Sequence, residues 1–200
     1  TGASLRDVHT AMDAARKPIV VAIHGTALGG GLETAMCGHY RVAAPSAKLG
    51  QPEVALGLVP GAGGTQRLPR LIGVEKALEM VTDGKPVSAA EALALGLVDA
   101  LMPEQDLKGG ALAFTRQLLA DGKSIRRTRD RDEKVTGVPP QIFSDFRKGH
   151  NFRGFEAPEE AIKCVEAATT MPFDQALDFE SRIFLACKDS LQSKAQRYAF

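Results

Sequence analysis

The 200-residue chain has no tryptophan, two tyrosines and three cysteines. No apolar run approaches the eighteen or so residues of a membrane helix, which excludes a simple hydrophobic span. Charge of neither sign prevails. The formal net charge of +1 offers no electrostatic case for nucleic acid or an anionic membrane as a partner. Cys37, Cys164 and Cys187 are odd in number and widely spaced. They match neither a zinc site nor a disulfide framework, and they fit reduced thiols in a cytosol-like compartment. A cytoplasmic location is the resulting expectation. The opening TGASLRDVHT has no charged n-region and no apolar h-region, so it shows no secretory signal and reads as the middle of something.

What is present is ordinary for a globular chain: 44% hydrophobic and 24% charged residues, enough for one domain with a sizeable core. Leu5, Val8, Met12 and Ala15 recur at helical spacing, which predicts an amphipathic helix over Ser4 to Arg16 that ends before Pro18. Ile19 to Ile23 is a continuous apolar run and predicts a strand buried on both faces of a parallel sheet. Helix Leu32 to Gly38 and strand Tyr40 to Ala43 should follow as a βαβ crossover. Short helices are expected over Thr65 to Leu71, Val74 to Val81 and a Ser88-capped stretch ending at Gly96, then a strand over Leu97 to Met102 and a helix over Asp106 to Ala120. The charged stretch SIRRTRDRDEK reads as a solvated loop. Helices over Glu159 to Thr169 and Asp174 to Phe200 complete the chain, the last with an apolar stripe of Leu177, Ile183, Phe184, Cys187, Leu191 and Ala195. The pattern divides into an α/β part, residues 1–122, and a helical C-terminal part, residues 123–200.

The chemistry concentrates between Pro18 and Gly64. The glycines Gly29, Gly30 and Gly31 open a helix, where bare backbone N–H groups and the positive end of the helix favour an anion or an oxyanion formed during reaction. No Gly-Lys-Ser/Thr follows, so this is not a P-loop, and GAGGTQ at 61–66 is not a dinucleotide fingerprint. Glu33 lies one turn, roughly 4.5 Å along the axis, beyond Gly30. Glu53 follows Pro52 twenty residues later. It reaches the same place only if the fold brings its helix start alongside. Paired carboxylates at an oxyanion site suit addition of water to a polarised double bond, or movement of a proton along a carbon chain. Each feature also has a plainer reading: a dipole or capping contact for either acid, a tight turn for the glycines, a structural role for His24, and a core or interface role for the phenylalanines of 143–155.

The succession KPIVVAIHGTALGGGLETAMCGHYRVAAPSAKLGQPEVALGLVPGAGGTQRLPRLIG, followed by PVSAAEALALGLVDALMP, resembles the signature of the crotonase (enoyl-CoA hydratase/isomerase) superfamily over residues 17–103. The resemblance implies an α/β fold, a crotonase-like ββα spiral incomplete at its N-terminus, with a helical C-terminal region. It implies that Gly30 supplies half of an oxyanion hole, that Glu33 and Glu53 are the two catalytic acids, and that Gly61 helps hold the water. The implied reaction is syn hydration of a trans-2-enoyl-CoA to a 3-hydroxyacyl-CoA, with 3-enoyl to 2-enoyl isomerisation as a side activity. It requires no cofactor beyond the coenzyme A of its substrate and no metal. The tail FDQALDFESRIFLACKDSLQSKAQRYAF resembles the linker of multifunctional fatty-oxidation α-subunits, which implies a following 3-hydroxyacyl-CoA dehydrogenase domain and a thiolase subunit in the full-length protein, or else a homo-oligomer. In that family the second oxyanion donor and the loop holding the CoA adenine lie well upstream of Gly30. Only 29 residues precede it here, so the 200-residue piece alone is expected to be weak or inactive, one missing donor costing about 10² to 10³ in rate. The rival readings are another crotonase reaction (isomerase, thioester hydrolase or decarboxylase) and a non-catalytic assembly module.

Overall fold

A computed structural model describes residues 2, 4–152 and 154–199. Helix α1 (Leu5–Asp13) starts at a capping box: Ser4 Oγ accepts from the Asp7 N–H, and the Asp7 side chain accepts from the Ser4 N–H. It leads into a repeating unit of two strands and a helix. The first repeat is β1 (Val20–Ile23), β2 (Thr26–Leu28) and α2 (Gly30–Cys37). The second is β3 (Tyr40–Ala43), β4 (Lys48–Gly50), a 3-10 turn (Glu53–Leu56) and α3 (Gly64–Ile72). First strands pair with first strands and second with second: β1 lies parallel to β3, Val20 opposite Tyr40, and β2 parallel to β4, Thr26 opposite Lys48. Two small sheets result, and the helices fill the space beside them.

Helix α4 (Val74–Asp83) follows α3 directly. Strand β5 (Val87–Ser88) then pairs antiparallel with β4, and β6 (Ala100–Leu101) pairs parallel with β3. Between them lies α5 (Ala89–Leu95), whose Ser88 Oγ accepts from the Glu91 N–H. Helix α6 (Leu107–Ala120) packs on β1, and α7 (Gln141–Gly149), α8 (Glu156–Thr170), α9 (Phe173–Asp189) and α10 (Leu191–Ala199) complete the chain. One hydrophobic cluster joins Ile23, Leu32, Leu49 and Leu68 of the spiral to Phe143, Ile162, Val165 and Cys187 of the later helices.

Four sequence expectations are corrected. Strand β1 is not buried on both faces: Ala22 is exposed, and among the described residues β1 pairs only with β3, at the edge of its sheet. The 124–134 stretch is a strap rather than a solvated loop. Arg127 Nε donates to the Asp13 carbonyl, Arg129 pairs with Asp174, Asp132 accepts from the buried Arg70, and Arg126 pairs with Asp99. Its arginines meet carboxylates or a carbonyl, and its Asp132 meets an arginine. The C-terminal segment is two helices, broken at Ser190, so the apolar stripe does not run through: Leu191 is 86% exposed. His24 is neither buried nor structural; it sits at the surface 3.5 Å from Glu104.

Candidate active site

Helix α2 begins at the end of β2, where Gly29 adopts φ +53° and ψ −127°, a conformation that L side chains rarely take. Gly29 donates its N–H to the Gly50 carbonyl at 2.9 Å, which locks the helix start to β4. Gly30 then opens the helix, and an N–H in that first turn has no carbonyl of its own helix to bond. Such an amide can donate to an anion.

Glu33 is 3% exposed, on the inner face of α2. Its Oε1 accepts from the N–H groups of Ala62 and Gly64, both at 2.8 Å. These belong to the glycine-rich turn that starts α3, so the acid of one helix caps the next. A Cβ on Gly64 would lie 2.6 Å from Pro60 Cβ and 2.9 Å from Glu33 Oε1, so only glycine lets the turn come this close. The other oxygen, Oε2, is directed back towards Gly30, 4.0 Å from where a Cβ on that residue would sit. Burial raises the Glu33 pKa, while the two amides and Arg67 oppose that rise. Held this way, Glu33 presents one engaged and one free oxygen.

Glu53 comes to the same place from the 3-10 turn after β4. Its Oε1 lies 2.9 Å from the position a Cβ on Gly29 would take. The Gln51 amide, oriented with its NH₂ towards the acid, donates to Oε2 at 3.1 Å and Oε1 at 2.9 Å. Burial, and then repulsion from Glu33, push Glu53 up to about 8. The two carboxyl groups are therefore set apart chemically. Glu33 is stabilised as an acceptor by two amides, whereas Glu53 retains its proton at neutral pH.

Gly61 lies beside this turn, and a Cβ there would meet the Phe184 ring at 2.5 Å. Its lack of a side chain is thus also needed for α9 to pack. The phenylalanines of 143–155 divide three ways, with Phe146 stacked on His150 at 4.0 Å between ring centroids. Phe143 is core, whereas Phe152 and Phe155 line a cleft of about 360 Å³ together with Val54, Ala55 and Thr82. That cleft follows the residues after Glu53 rather than Glu53 itself.

Sequence reasoning missed two groups. His9 of α1 is buried and bridges Thr34 Oγ1 (Nε2 at 2.9 Å) to the Ala62 carbonyl (Nδ1 at 3.0 Å), tying α1 to both α2 and the glycine turn. Glu180 of α9 is fully buried and accepts from the Gly63 and Thr65 N–H groups at 2.6 and 2.9 Å. Glu180 interrupts the apolar stripe between Leu177 and Ile183, and a lone acid on such a face is the signal that marks it. Below these groups, Arg67 and Asp13 form a buried ion pair at 2.7 Å that joins α3 to α1.

Comparison with known proteins agrees with this architecture. The chain is 42% identical over 195 residues to a peroxisomal bifunctional enzyme of Danio rerio, covering 95% of this chain and 26% of that protein. It is 60% identical over 158 residues to the peroxisomal fatty acid beta-oxidation multifunctional protein MFP2 of Arabidopsis thaliana, covering 78% of this chain and 22% of that protein. It therefore spans about a quarter of the length of these relatives. A solved enoyl-CoA hydratase from Mycobacterium avium subsp. paratuberculosis superposes with a TM-score of 0.69 at 21% identity, over 98% of this chain and 68% of that one, which shows the shared fold. The sequence profile described as Enoyl-CoA hydratase/isomerase matches residues 1–132, and the chain belongs to the enoyl-CoA hydratase/isomerase family.

Proposed function

We propose that this site hydrates a trans-2-enoyl-CoA of fatty-acid β-oxidation to the 3-hydroxyacyl-CoA. The observation that carries the reading is the meeting of two unlike carboxyl groups at the start of α2: Glu33 held by two amides with one oxygen free, and Glu53 raised to about 8. The thioester carbonyl faces the Gly30 N–H. Glu33 takes a proton from water as the water oxygen bonds to C3 of the enoyl chain. The C2=C3 electron pair moves onto the thioester oxygen, giving an enolate that the Gly30 N–H stabilises. Glu53 then delivers its proton to C2, and the carbonyl reforms. One water is consumed, and each acid ends in the other's protonation state until solvent exchange resets the pair. Nothing in this sequence calls for a cofactor beyond the coenzyme A of the substrate, or for a metal.

Isomerisation of a 3-enoyl-CoA, an activity that the family description includes, takes a proton from C2 and returns one to C4, and the ionised form of Glu53, the acid facing C2, serves the first of these steps. Separate Glu33→Gln and Glu53→Gln variants, assayed on crotonyl-CoA and on a 3-enoyl-CoA, test the assignment. Hydration should fall by about 10² to 10⁴ in each variant. Isomerisation should depend chiefly on Glu53. Full hydration by either variant would refute the roles. The relatives named peroxisomal, and a third named glyoxysomal, favour a peroxisome-like compartment over the cytoplasm. Their names, bifunctional and multifunctional, favour a second activity in the same protein.

A further inference from the structure

The first amides of α3 are shared between two buried carboxylates in strict alternation. Ala62 and Gly64 donate to Glu33 Oε1, while Gly63 donates to Glu180 Oε1 and Thr65 to Glu180 Oε2. The Thr65 hydroxyl adds a third bond to Glu180, to Oε2 at 2.5 Å, and itself accepts from Gln66 Nε2. The turn thus shows one row of N–H groups to the site and the opposite row to α9. Gly63, with φ +102°, is the residue that lets the row alternate.

We propose that Glu180 is a positioning residue of this active site: by anchoring the Gly63 and Thr65 amides from behind, it aims the Ala62 and Gly64 amides at one oxygen of Glu33 and leaves the other free for water. The inference rests on the hydration reading of the site. A helix start needs only a serine or an aspartate to cap it, and an internal carboxylate drawn from a helix more than a hundred residues later is a costly substitute. The cost has a return if the turn must be held in one register. Without Glu180 the Gly63 and Thr65 amides have no acceptor, and the turn can rotate towards Glu33, engaging both of its oxygens or neither. Burial, and then repulsion from Glu33, raise Glu180 to about 8. The other titratable groups about the pair are Glu53 from the 3-10 turn, Arg67 from α3 and Cys164 from α8. Asp13 of α1 bears on it through Arg67, and His9 of α1 through the Ala62 carbonyl.

The test is Glu180→Gln, which keeps the shape but replaces one acceptor oxygen with an NH₂ donor. Three readouts are compared with the wild type: the ¹³C carboxyl titration of Glu33, the amide resonances of Ala62 and Gly64, and the kinetics of crotonyl-CoA hydration. Neither amide touches Glu180, but both adjoin residues that do, so their shifts support the proposal only together with a moved Glu33 midpoint and a lower kcat. The expected result is a folded variant whose Glu33 midpoint moves, because the two amides that lower it are no longer aimed at it, and whose Ala62 and Gly64 resonances shift. Its kcat should drop about tenfold or more with KM within about twofold, because Glu180 meets no substrate. A folded variant with both amides, the Glu33 midpoint and kcat unchanged would overturn the proposal. If Glu180→Gln does not fold, Thr65→Val removes the hydroxyl's bond to Glu180, and the one it accepts from Gln66, while leaving the Glu180 side chain in place. It should move the same resonances in the same direction by less, and their constancy would again overturn the idea. A wild-type protein that hydrates no enoyl-CoA would refute the reading of the site, while the two NMR readouts would still decide whether Glu180 aims Glu33.

Discussion

Glu53→Gln should make the protein more stable at alkaline pH and leave it nearly unchanged at acid pH. Glu53 has an ordinary value of 4.5 and stands at about 8 in the fold, so the folded chain binds this proton more tightly than the unfolded chain does. For a carboxyl shifted upwards, the linked stability is complete below about pH 4.5 and is lost as pH rises towards 8. The full difference corresponds to a ceiling of about 5 kcal/mol. Water reaches part of this half-buried side chain and Glu33 shares the site, so a realised effect of about 1 to 3 kcal/mol is expected. Glutamine has the shape of the protonated acid and cannot ionise. Thermal melts of wild type and variant should therefore coincide near pH 5 and separate by pH 9, the variant melting about 3 to 10 °C higher for a chain of this length. Comparing the pair at each pH cancels the titration of every other group they share. Melting curves that stay parallel from pH 5 to pH 9 would show that Glu53 ionises freely in the fold, and the acid role assigned to it would fall.

Two further outcomes follow from the geometry. Gly30→Ala should fold normally, since its Cβ would meet Leu5 Cδ2 at an ordinary 3.5 Å. Its methyl would nevertheless stand beside the free oxygen of Glu33, so hydration should fall with an unchanged melt. Asp13→Ala leaves Arg67 buried without its partner at 2.7 Å and should cost about 3 to 5 kcal/mol in urea unfolding. A loss near zero would mean that the strap can rearrange to relieve the Arg67 charge, even though Arg129, 3.7 Å from the same carboxylate, loses that partner too.

How far the site could be read from sequence depends on chain distance. The Gly30–Glu33 relation is local, one helical turn, and the glycine triplet exposes it. The coming together of Glu53 and Gly29 needs the parallel pairing of β2 with β4. These three-residue strands are too short to give an apolar period, so the second sheet is invisible to pattern. The same holds for the Ala62 and Gly64 amides that hold Glu33: a backbone donor has no sequence signature. The strap at 124–134 is hidden from sequence for a related reason. Alternating charge looks like a solvated face when Asp13, Asp99, Asp174 and Arg70, its partners, are scattered along the chain. Glu180 and His9 each left a trace, a polar residue within a helix's apolar pattern. That trace says that a partner exists without saying which.

The central claim is that two carboxyl groups of opposite readiness share one helix start, and the pH dependence of crotonyl-CoA hydration reads it most directly. With Glu53 required in its protonated form and standing at about 8, kcat/KM should hold through neutrality and then fall about tenfold for each pH unit above that point. A profile that stays level up to pH 10, with the protein still folded, would contradict the account.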